Sequence, residues 1–220
     1  MPGKTQNKNI QRVLSALVLG PIFIIAIMFS KLLFCFLMLL ITIGMLYEWC
    51  KMTKSSCSYQ LLGFIIIPIP TIFLTFTAIK EVQYWLLLLY FIIIWSVDTF
   101  AMVGGKNLHG PKLAPKISPN KTWSGLIVGV LSSGVAAFLL SLFPGFNLSQ
   151  SYLIPREYLI IVSIGLAFMA QMSDLFVSYF KRKFSIKDSG TIIPGHGGIL
   201  DRFDSIILTA PILFVISQIL

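Results

Sequence analysis

Long apolar runs separated by short polar segments fill almost the whole chain. A membrane-spanning helix needs about 20 mostly apolar residues, within a range of about 17–25. Seven runs meet this requirement, with approximate bounds Val13–Ser30, Leu32–Trp49, Leu61–Ile79, Val82–Val103, Pro119–Phe143, Tyr158–Phe180 and Leu200–Leu220. Pro68 and Pro70 lie inside the third run and predict a kink there. The pattern predicts an all-α, polytopic integral membrane protein with about seven transmembrane helices.

The composition supports the bilayer as the environment of the chain. Only 11% of the 220 residues are charged and 56% are hydrophobic, whereas soluble domains carry about 25% charged residues. The net charge of +9 does not indicate nucleic-acid binding, because no soluble basic domain is present and membrane topology explains the basic residues. The three cysteines follow no metal-binding or redox spacing.

The basic residues predict how the helices are oriented. With the N-terminus in the cytosol, 14 of the 17 Lys and Arg residues fall on the cytosolic side, as the positive-inside rule requires. Two long polar loops, Gly104–Ser118 and Lys181–Ile199, then also face the cytosol. A water-soluble substrate would be bound at these loops.

Two aspartates interrupt apolar runs. A charge at the bilayer centre costs at least about 2.5–3.5 kcal/mol, so Asp98 and Asp174 are candidates for functional residues. Gln171, Asp174, Ser178 and Lys181 are spaced three, four and three residues apart, which places them on one helical face. A polar stripe is therefore expected along the sixth run.

A second acidic cluster lies at the start of the last run. Asp201 and Asp204 are three residues apart and would share a helical face. Their mutual repulsion would be relieved by a divalent cation such as Mg²⁺, which prefers oxygen ligands and substrate phosphates. Asp188 is a further possible ligand. The acidic residues alternate with bases suited to phosphate contacts, namely Lys181, Arg182, Lys187 and Arg202.

Glycines and helix starts add possible phosphate contacts. Gly195, Gly197 and Gly198 flank His196, and glycines permit close approach of a phosphate to the backbone. Ser118 is expected to cap the fifth helix with Pro119 at its first position. Lys121 and Thr122 would follow in the first turn, where a helix N-terminus favours an anion.

These residues form motifs that resemble the phosphatidate cytidylyltransferase (CDP-diglyceride synthase) family. The first stretch reads Ser178-Tyr-Phe-Lys181-Arg182, Lys187-Asp188 and Pro194-Gly-His-Gly-Gly-Ile-Leu-Asp201-Arg-Phe-Asp204-Ser205. The second reads Asp98-Thr-Phe-Ala to Gly105-Lys106, then Leu113-Ala-Pro115-Lys-Ile-Ser118-Pro-Asn-Lys121-Thr122. One departure is Ser124, where the family often has Glu, which puts one acidic ligand or lysine partner in doubt.

The resemblance implies the reaction of CTP with phosphatidic acid to give CDP-diacylglycerol and pyrophosphate. It also implies a divalent metal, usually Mg²⁺, with the bacterial inner membrane as location and a homodimer as a possible assembly. We treat residues 1–220 as a single membrane-embedded domain. Within it, residues 1–97 hold the N-terminal spans, residues 98–205 the catalytic region and residues 200–220 the last span.

Residue pattern and resemblance together give predicted roles. The metal ligands are Asp174, Asp201 and Asp204, with Asp188 as a further possibility. The phosphate-binding bases are Lys121, Lys181, Arg182, Lys187 and Arg202. The expected substrate contacts also include Ser118, Ser178, Gly197 and Gly198. Asp98 would orient Lys121 or Lys106, and His196 would either bind phosphate or order the glycine-rich turn.

Several other functions are weighed against this one. A cytidylyltransferase acting on an isoprenoid lipid phosphate would share the general site. An ion-coupled transporter would explain the intramembrane aspartates, but transporters often have paired broken helices in two halves, and here every Asp lies between residues 98 and 204. The Asp-Gly…Ala-Arg spacing of CDP-alcohol phosphotransferases is absent. A purely structural membrane protein leaves the polar run from Lys187 to Ser205 unexplained.

Overall fold

The computed structural model describes residues 20–79, 84–143, 146, 155–192 and 197–219. Helices make up most of this part of the chain. They are α1 (Gly20–Phe29), α2 (Lys31–Met52), α3 (Cys57–Ile66), α4 (Pro68–Ile79), α5 (Tyr84–Leu108), α6 (Trp123–Ser141), α7 (Arg156–Lys183), α8 (Leu200–Phe203) and α9 (Ile206–Ile219).

Within the described residues, five helical segments are long and apolar enough to cross a membrane. They are α2, the joined pair α3–α4, α5, α6 and α7. The apolar helices α1 and α9 are shorter, and the predicted first span begins outside the described residues. The expectation of an all-α membrane protein is confirmed in outline, and the count of about seven spans stays a prediction.

The predicted kink in the third span is confirmed. Helix α3 ends at Ile66, and α4 begins at Pro68. Proline has no backbone N–H and restricts the residue before it, so the helical ladder breaks at this point. The indole Nε1 of Trp49 donates to the carbonyl of Tyr59 at 2.7 Å, which ties the start of this kinked pair to α2.

A short antiparallel hairpin interrupts the helices between α5 and α6. Strand β1 (Lys112–Ala114) pairs with strand β2 (Ser118–Thr122). The prediction that Ser118 caps a helix beginning at Pro119 is therefore wrong. A residue before proline favours extended backbone, and Thr122 provides the cap instead: its Oγ1 accepts from the Gly125 amide at 3.1 Å.

The last predicted span is not one continuous helix. Helix α8 ends at Phe203 and α9 begins at Ile206. In a continuous helix the Leu208 amide would donate to the Asp204 carbonyl, but Ser173 of α7 lies between them. Its hydroxyl donates to the Asp204 carbonyl at 2.5 Å and accepts from the Leu208 amide at 3.1 Å. Insertion of a side chain into the hydrogen-bond ladder breaks a helix in this way.

Helices α5, α6 and α7 pack together and carry most of the polar residues described below. Helix α6 lies close to α5 because Gly125 has no side chain; a Cβ there would be 2.6 Å from the Ala101 carbonyl oxygen. Small residues at such contacts let membrane helices approach each other closely. Helix α9 packs against α4 and α7, and Tyr90 of α5 shares a 2.7 Å hydrogen bond with Thr209.

Candidate active site

The polar stripe expected on the sixth run is confirmed on α7. Gln171, which is almost fully buried, donates through Nε2 to Oδ1 of Asp98 on α5 at 3.1 Å. One turn further, the Ser178 hydroxyl donates to Oδ1 of Asp174 at 3.2 Å. Lys181 completes the stripe in the last turn of α7. One face of α7 therefore presents an amide, a carboxylate, a hydroxyl and an ammonium in succession.

The hairpin brings a lysine to this stripe. Lys121, in strand β2, forms an ion pair through Nζ with Oδ2 of Asp174 at 2.6 Å. The same ammonium donates to the Gln171 carbonyl at 3.4 Å. Because Thr122, the next residue, is the cap of α6, the position of Lys121 is fixed by both the hairpin and the helix start.

A second ion pair joins the end of α7 to α8. Lys181 Nζ lies 2.7 Å from Oδ1 of Asp201, and both side chains are less than 10% exposed. The other oxygen of Asp201 accepts from the backbone amides of Ser189 and Gly198, at 2.9 Å and 3.0 Å. Both oxygens of this carboxylate therefore have partners, and the Asp201 side chain is held by the loop on either side of it.

Asp204 lies between α8 and α9, outside the five long helices. Its side chain is buried, and it lies within electrostatic range of Asp174 and Lys181. Arg202, two residues earlier, interacts electrostatically with Asp98.

The ion pairs and electrostatic contacts connect the acidic and basic residues into one group, which we call the charged cluster. Its members are Asp98, Lys121, Asp174, Lys181, Asp201, Arg202 and Asp204. Asp98 and Arg202 are exposed at the protein surface, and Lys121 and Asp174 are 18% and 25% exposed. The charged cluster is therefore open on one side and buried on the other.

Three of the predicted polar site residues lie in the last turn of α7 or in the loop after it. Arg182 donates through Nε to the carbonyl of Ile117 at 3.0 Å and through Nη1 to that of Ile186 at 3.0 Å. It therefore joins the hairpin turn to the end of α7, and its predicted phosphate contact stays a prediction. Lys187 and Asp188 are exposed.

The remaining predicted contacts lie nearby or outside the described residues. Gly197 has a left-handed backbone with φ of +85°, and a Cβ there would be 3.0 Å from Oδ2 of Asp201, so this turn needs glycine. Gly198 contacts Asp201 through its amide, as described above. Ser118 pairs with Ala114 in the hairpin. His196 lies outside the described residues, and its role stays a prediction.

The position that departs from the family pattern has a structural role. The Ser124 hydroxyl accepts from the Gly110 amide at 3.1 Å and is 3.1 Å from the Thr122 hydroxyl. These contacts join the start of α6 to the segment that precedes β1. Ser124 thus helps to fix the hairpin that carries Lys121.

Glu48 is not among the residues predicted for the site, but it contacts the loop after α7. Glu48 lies near the end of α2 with only 1% of its surface exposed. Its carboxylate accepts from the Ser189 hydroxyl at 2.7 Å and from the amides of Ile199 and Leu200 at 3.0 Å and 2.9 Å. The signal that could have found it is its charge at the end of an apolar run.

The carboxylates of the charged cluster match a hard divalent cation in their chemistry. In the structure, however, Lys121 and Lys181 pair with Asp174 and Asp201. Within the described ranges, no three His, Cys, Asp or Glu side chains are arranged to hold a metal ion. The oxygen donors fit Mg²⁺ in kind, and the predicted metal site stays a prediction.

Fold and site together define a polytopic membrane protein with a semi-buried site of carboxylates, lysines and an arginine, a combination suited to phosphate chemistry. The chain belongs to the cytidylyltransferase family, whose model matches residues 53–220. The match includes the whole charged cluster. It confirms the resemblance drawn from the motifs and the expectation that the chain is an enzyme of the nucleotidyltransferase class.

Curated relatives agree with this assignment. The chain is 61% identical over 206 residues to the phosphatidate cytidylyltransferase of Rickettsia felis, covering 94% of this chain and 91% of the relative. It is 62% identical to the enzyme of the same name from Rickettsia bellii, over 94% and 89% of the two chains. The phosphatidate cytidylyltransferase of Bacillus subtilis is 36% identical over 80% of this chain and 65% of its own length.

Proposed function

We propose that the chain transfers the cytidylyl group of CTP to phosphatidic acid, giving CDP-diacylglycerol and pyrophosphate. The names of its relatives support this reaction. The observation that carries the proposal is the connection of the Lys121–Asp174 and Lys181–Asp201 ion pairs into one charged cluster. Both substrates are anions, so a site for them needs fixed cations at the reacting phosphates.

In the proposed reaction, a phosphate oxygen of phosphatidic acid attacks the α-phosphorus of CTP. A new P–O bond forms, the bond between the α-phosphorus and its bridging oxygen breaks, and pyrophosphate leaves with the electron pair. The nucleophile is already an anion, so no general base is required. Positioning and electrostatic stabilisation supply most of the acceleration of phosphoryl-type transfers.

The chain's own bases would supply this stabilisation. Lys121 and Lys181 would donate to phosphate oxygens, and Asp174 and Asp201 hold the two ammonium groups in place before substrate binds. Arg202 is accessible beside Asp98 and suits a bidentate phosphate contact. Lys187 is exposed on the loop and would contact the outer phosphates of CTP.

We further propose that Mg²⁺ binds at the carboxylates of Asp174, Asp201 and Asp204, with Asp188 as a possible ligand. When bound, the ion would neutralise charge on the attacking and leaving oxygens. Asp174 and Asp201 each pair with a lysine, so these lysines must move toward substrate when the carboxylates take up a cation.

The proposed setting is the bacterial inner membrane. The charge bias along the sequence supports a cytosolic position for the hairpin and the loop after α7, on the side where CTP is present. Phosphatidic acid would reach the charged cluster from the bilayer, through the side on which Asp98 is exposed. A homodimer is part of the proposal by family resemblance alone.

A labelling experiment tests the reaction and the identity of the lipid. The purified chain in phospholipid vesicles is incubated with CTP labelled at the α- or the γ-phosphorus, and with either phosphatidic acid or a polyprenyl phosphate. The proposal predicts that α-label enters a CDP-lipid with phosphatidic acid while γ-label is released as pyrophosphate. Transfer only to the polyprenyl phosphate would contradict it, and ion flux without CTP turnover would favour a transporter.

A further inference from the structure

Glu48 is a buried carboxylate whose hydrogen-bond partners among the described residues are all uncharged. Its two oxygens accept three hydrogen bonds, from the Ser189 hydroxyl and from the backbone amides of Ile199 and Leu200. Taking an unpaired carboxylate out of water is costly, and hydrogen bonds to a charged acceptor are roughly twice as strong as neutral ones. Glu48 therefore joins two separate parts of the chain, Ser189 and Ile199–Leu200, to α2.

The two segments that bind Glu48 also donate hydrogen bonds to Asp201. Ser189 donates through its hydroxyl to Glu48 and through its amide to Oδ2 of Asp201. Gly198 donates its amide to the same Asp201 oxygen, and the next two amides donate to Glu48. The carboxylates of Glu48 and Asp201 are thus both bound by the same two segments, Ser189 and Gly198–Leu200. A displacement of Glu48 would be passed on to Asp201 and to its ion pair with Lys181.

Two glycines make room for this arrangement. A Cβ at Gly190 would lie 2.3 Å from Oε1 of Glu48, and a Cβ at Gly198 would lie 2.3 Å from Oε2. Contacts shorter than 3.0 Å force something to move. The backbone on both sides of Glu48 is therefore packed directly against its carboxylate, with no space for a larger residue.

We propose that Glu48 is a positioning residue for the reaction: it holds the Ser189 and Gly198–Leu200 backbone so that Asp201 stays aimed at Lys181 and at the proposed Mg²⁺. The proposal rests on the function proposed above. Glu48 itself does not touch the reacting phosphates. It acts from α2, a helix that contributes no residue to the charged cluster in the described part of the chain.

Only a carboxylate satisfies all three donors. Oε1 accepts from Ile199, and Oε2 accepts from Ser189 and Leu200. In Glu48→Gln, of equal size, one oxygen becomes an NH₂ group that faces at least one N–H donor. The change therefore breaks one or more of the three bonds without creating a cavity.

The test compares Glu48→Gln with wild type and with a matched control. Glu157→Gln makes the same chemical change at an exposed residue in the first turn of α7. Two measurements are made on each purified full-length chain in vesicles: amide hydrogen exchange of residues 186–192 and 197–203, and the Mg²⁺ concentration at half-maximal CDP-lipid formation. A lower amount of folded enzyme does not change this midpoint.

The expected results for Glu48→Gln are faster exchange in these two segments and a midpoint raised about 10- to 100-fold, the usual effect of losing a residue that orients a metal ligand. Glu157→Gln should match wild type in both measurements. An unchanged midpoint in Glu48→Gln overturns the proposal, whatever happens to the maximal rate. Unchanged amide hydrogen exchange in the two segments overturns it as well.

Ser189→Ala keeps the proposal testable if Glu48→Gln does not fold. It removes the hydroxyl donor to Glu48 and leaves the hydrogen bond from the Ser189 backbone amide to Asp201 intact. A raised Mg²⁺ midpoint is therefore expected, and an unchanged one overturns the proposal. Gly190→Ala places a Cβ against the Glu48 carboxylate, whereas a Cβ at Gly165 meets nothing within 4 Å. Gly190→Ala and its control Gly165→Ala therefore form a second, independent pair of variants for the same measurements. If wild type itself transfers no cytidylyl group, the proposed function fails, and hydrogen exchange alone then decides whether Glu48 positions Asp201.

Discussion

Lys181 and Asp201 form a 2.7 Å ion pair across twenty residues of sequence, with both side chains nearly removed from solvent. The pair joins the last turn of α7 to the short helix α8. Removing one member of a buried ion pair leaves an uncompensated charge, which costs far more than the pair contributes. Breaking the ion pair should therefore affect both the stability and the activity of the protein.

Replacing Lys181 with methionine should destabilise the protein and abolish activity. Asp201 would keep its two backbone donors but lose its counter-ion, and the expected loss is about 3–5 kcal/mol in the free energy of unfolding. Thermal unfolding in detergent measures the change. Lys183→Met, two residues along on the exposed face, is the control and should retain activity. Equal unfolding temperatures for Lys181→Met and wild type would contradict this account of the ion pair.

Replacing Lys121 should lower CDP-lipid formation much more than replacing another lysine of the hairpin. Lys121→Met leaves Asp174 without its 2.6 Å partner and removes a predicted phosphate contact, so CDP-lipid formation should fall at least about 100-fold, the usual effect of losing one electrostatic contact to the transition state. Lys116→Met changes an exposed lysine in the hairpin turn and should keep near wild-type rates. Similar rates for the two variants would argue against a role for Lys121.

Arg182 should act through the hairpin. Arg182→Lys retains the positive charge but cannot donate to both the Ile117 and Ile186 carbonyls in the same planar geometry. Hydrogen exchange in residues 111–122 should therefore become faster. If exchange there stays at the wild-type rate while the KM for CTP rises, Arg182 is a phosphate ligand and the hairpin interpretation fails.

The proposed orientation can be tested by thiol labelling. In a variant with Cys35, Cys50 and Cys57 replaced by serine, a cysteine is introduced at Lys116 or at Lys31, both of which are exposed. A membrane-impermeant maleimide should label Lys116→Cys only when it reaches the cytosolic face. It should label Lys31→Cys only from the opposite face. Labelling of both positions from one face would contradict the orientation.

The sequence predicted the parts of the site that depend on helical spacing or on intramembrane charge. The stripe from Gln171 to Lys181 follows from the helical period, and the involvement of Asp98 and Asp174 follows from the cost of a charge in the bilayer. Asp201 and Asp204 were found by their proximity to each other and to basic residues. Each of these signals is local, and a single sequence contains it.

The parts that the sequence did not predict depend on contacts between distant segments. The helix break after Asp204 requires Ser173 from α7, and the strand conformation of Ser118 requires pairing with Ala114. Glu48 acquires its role only when the loop near Gly198 folds against α2. The local preferences of the Leu200–Leu220 run are compatible with a helix, so a tertiary contact decided its outcome. Ser118 precedes a proline and already favours extended backbone, and pairing in the hairpin agrees with that preference.

The central claim is that the charged cluster transfers the cytidylyl group to phosphatidic acid, and the most direct measurement compares wild type with Asp201→Asn. Both purified chains, in vesicles containing phosphatidic acid, receive α-labelled CTP with and without Mg²⁺, and the labelled lipid is quantified. The account predicts Mg²⁺-dependent CDP-diacylglycerol from wild type and none above background from Asp201→Asn. Absence of labelled lipid with wild type, or Asp201→Asn activity with an unchanged Mg²⁺ dependence, would contradict it.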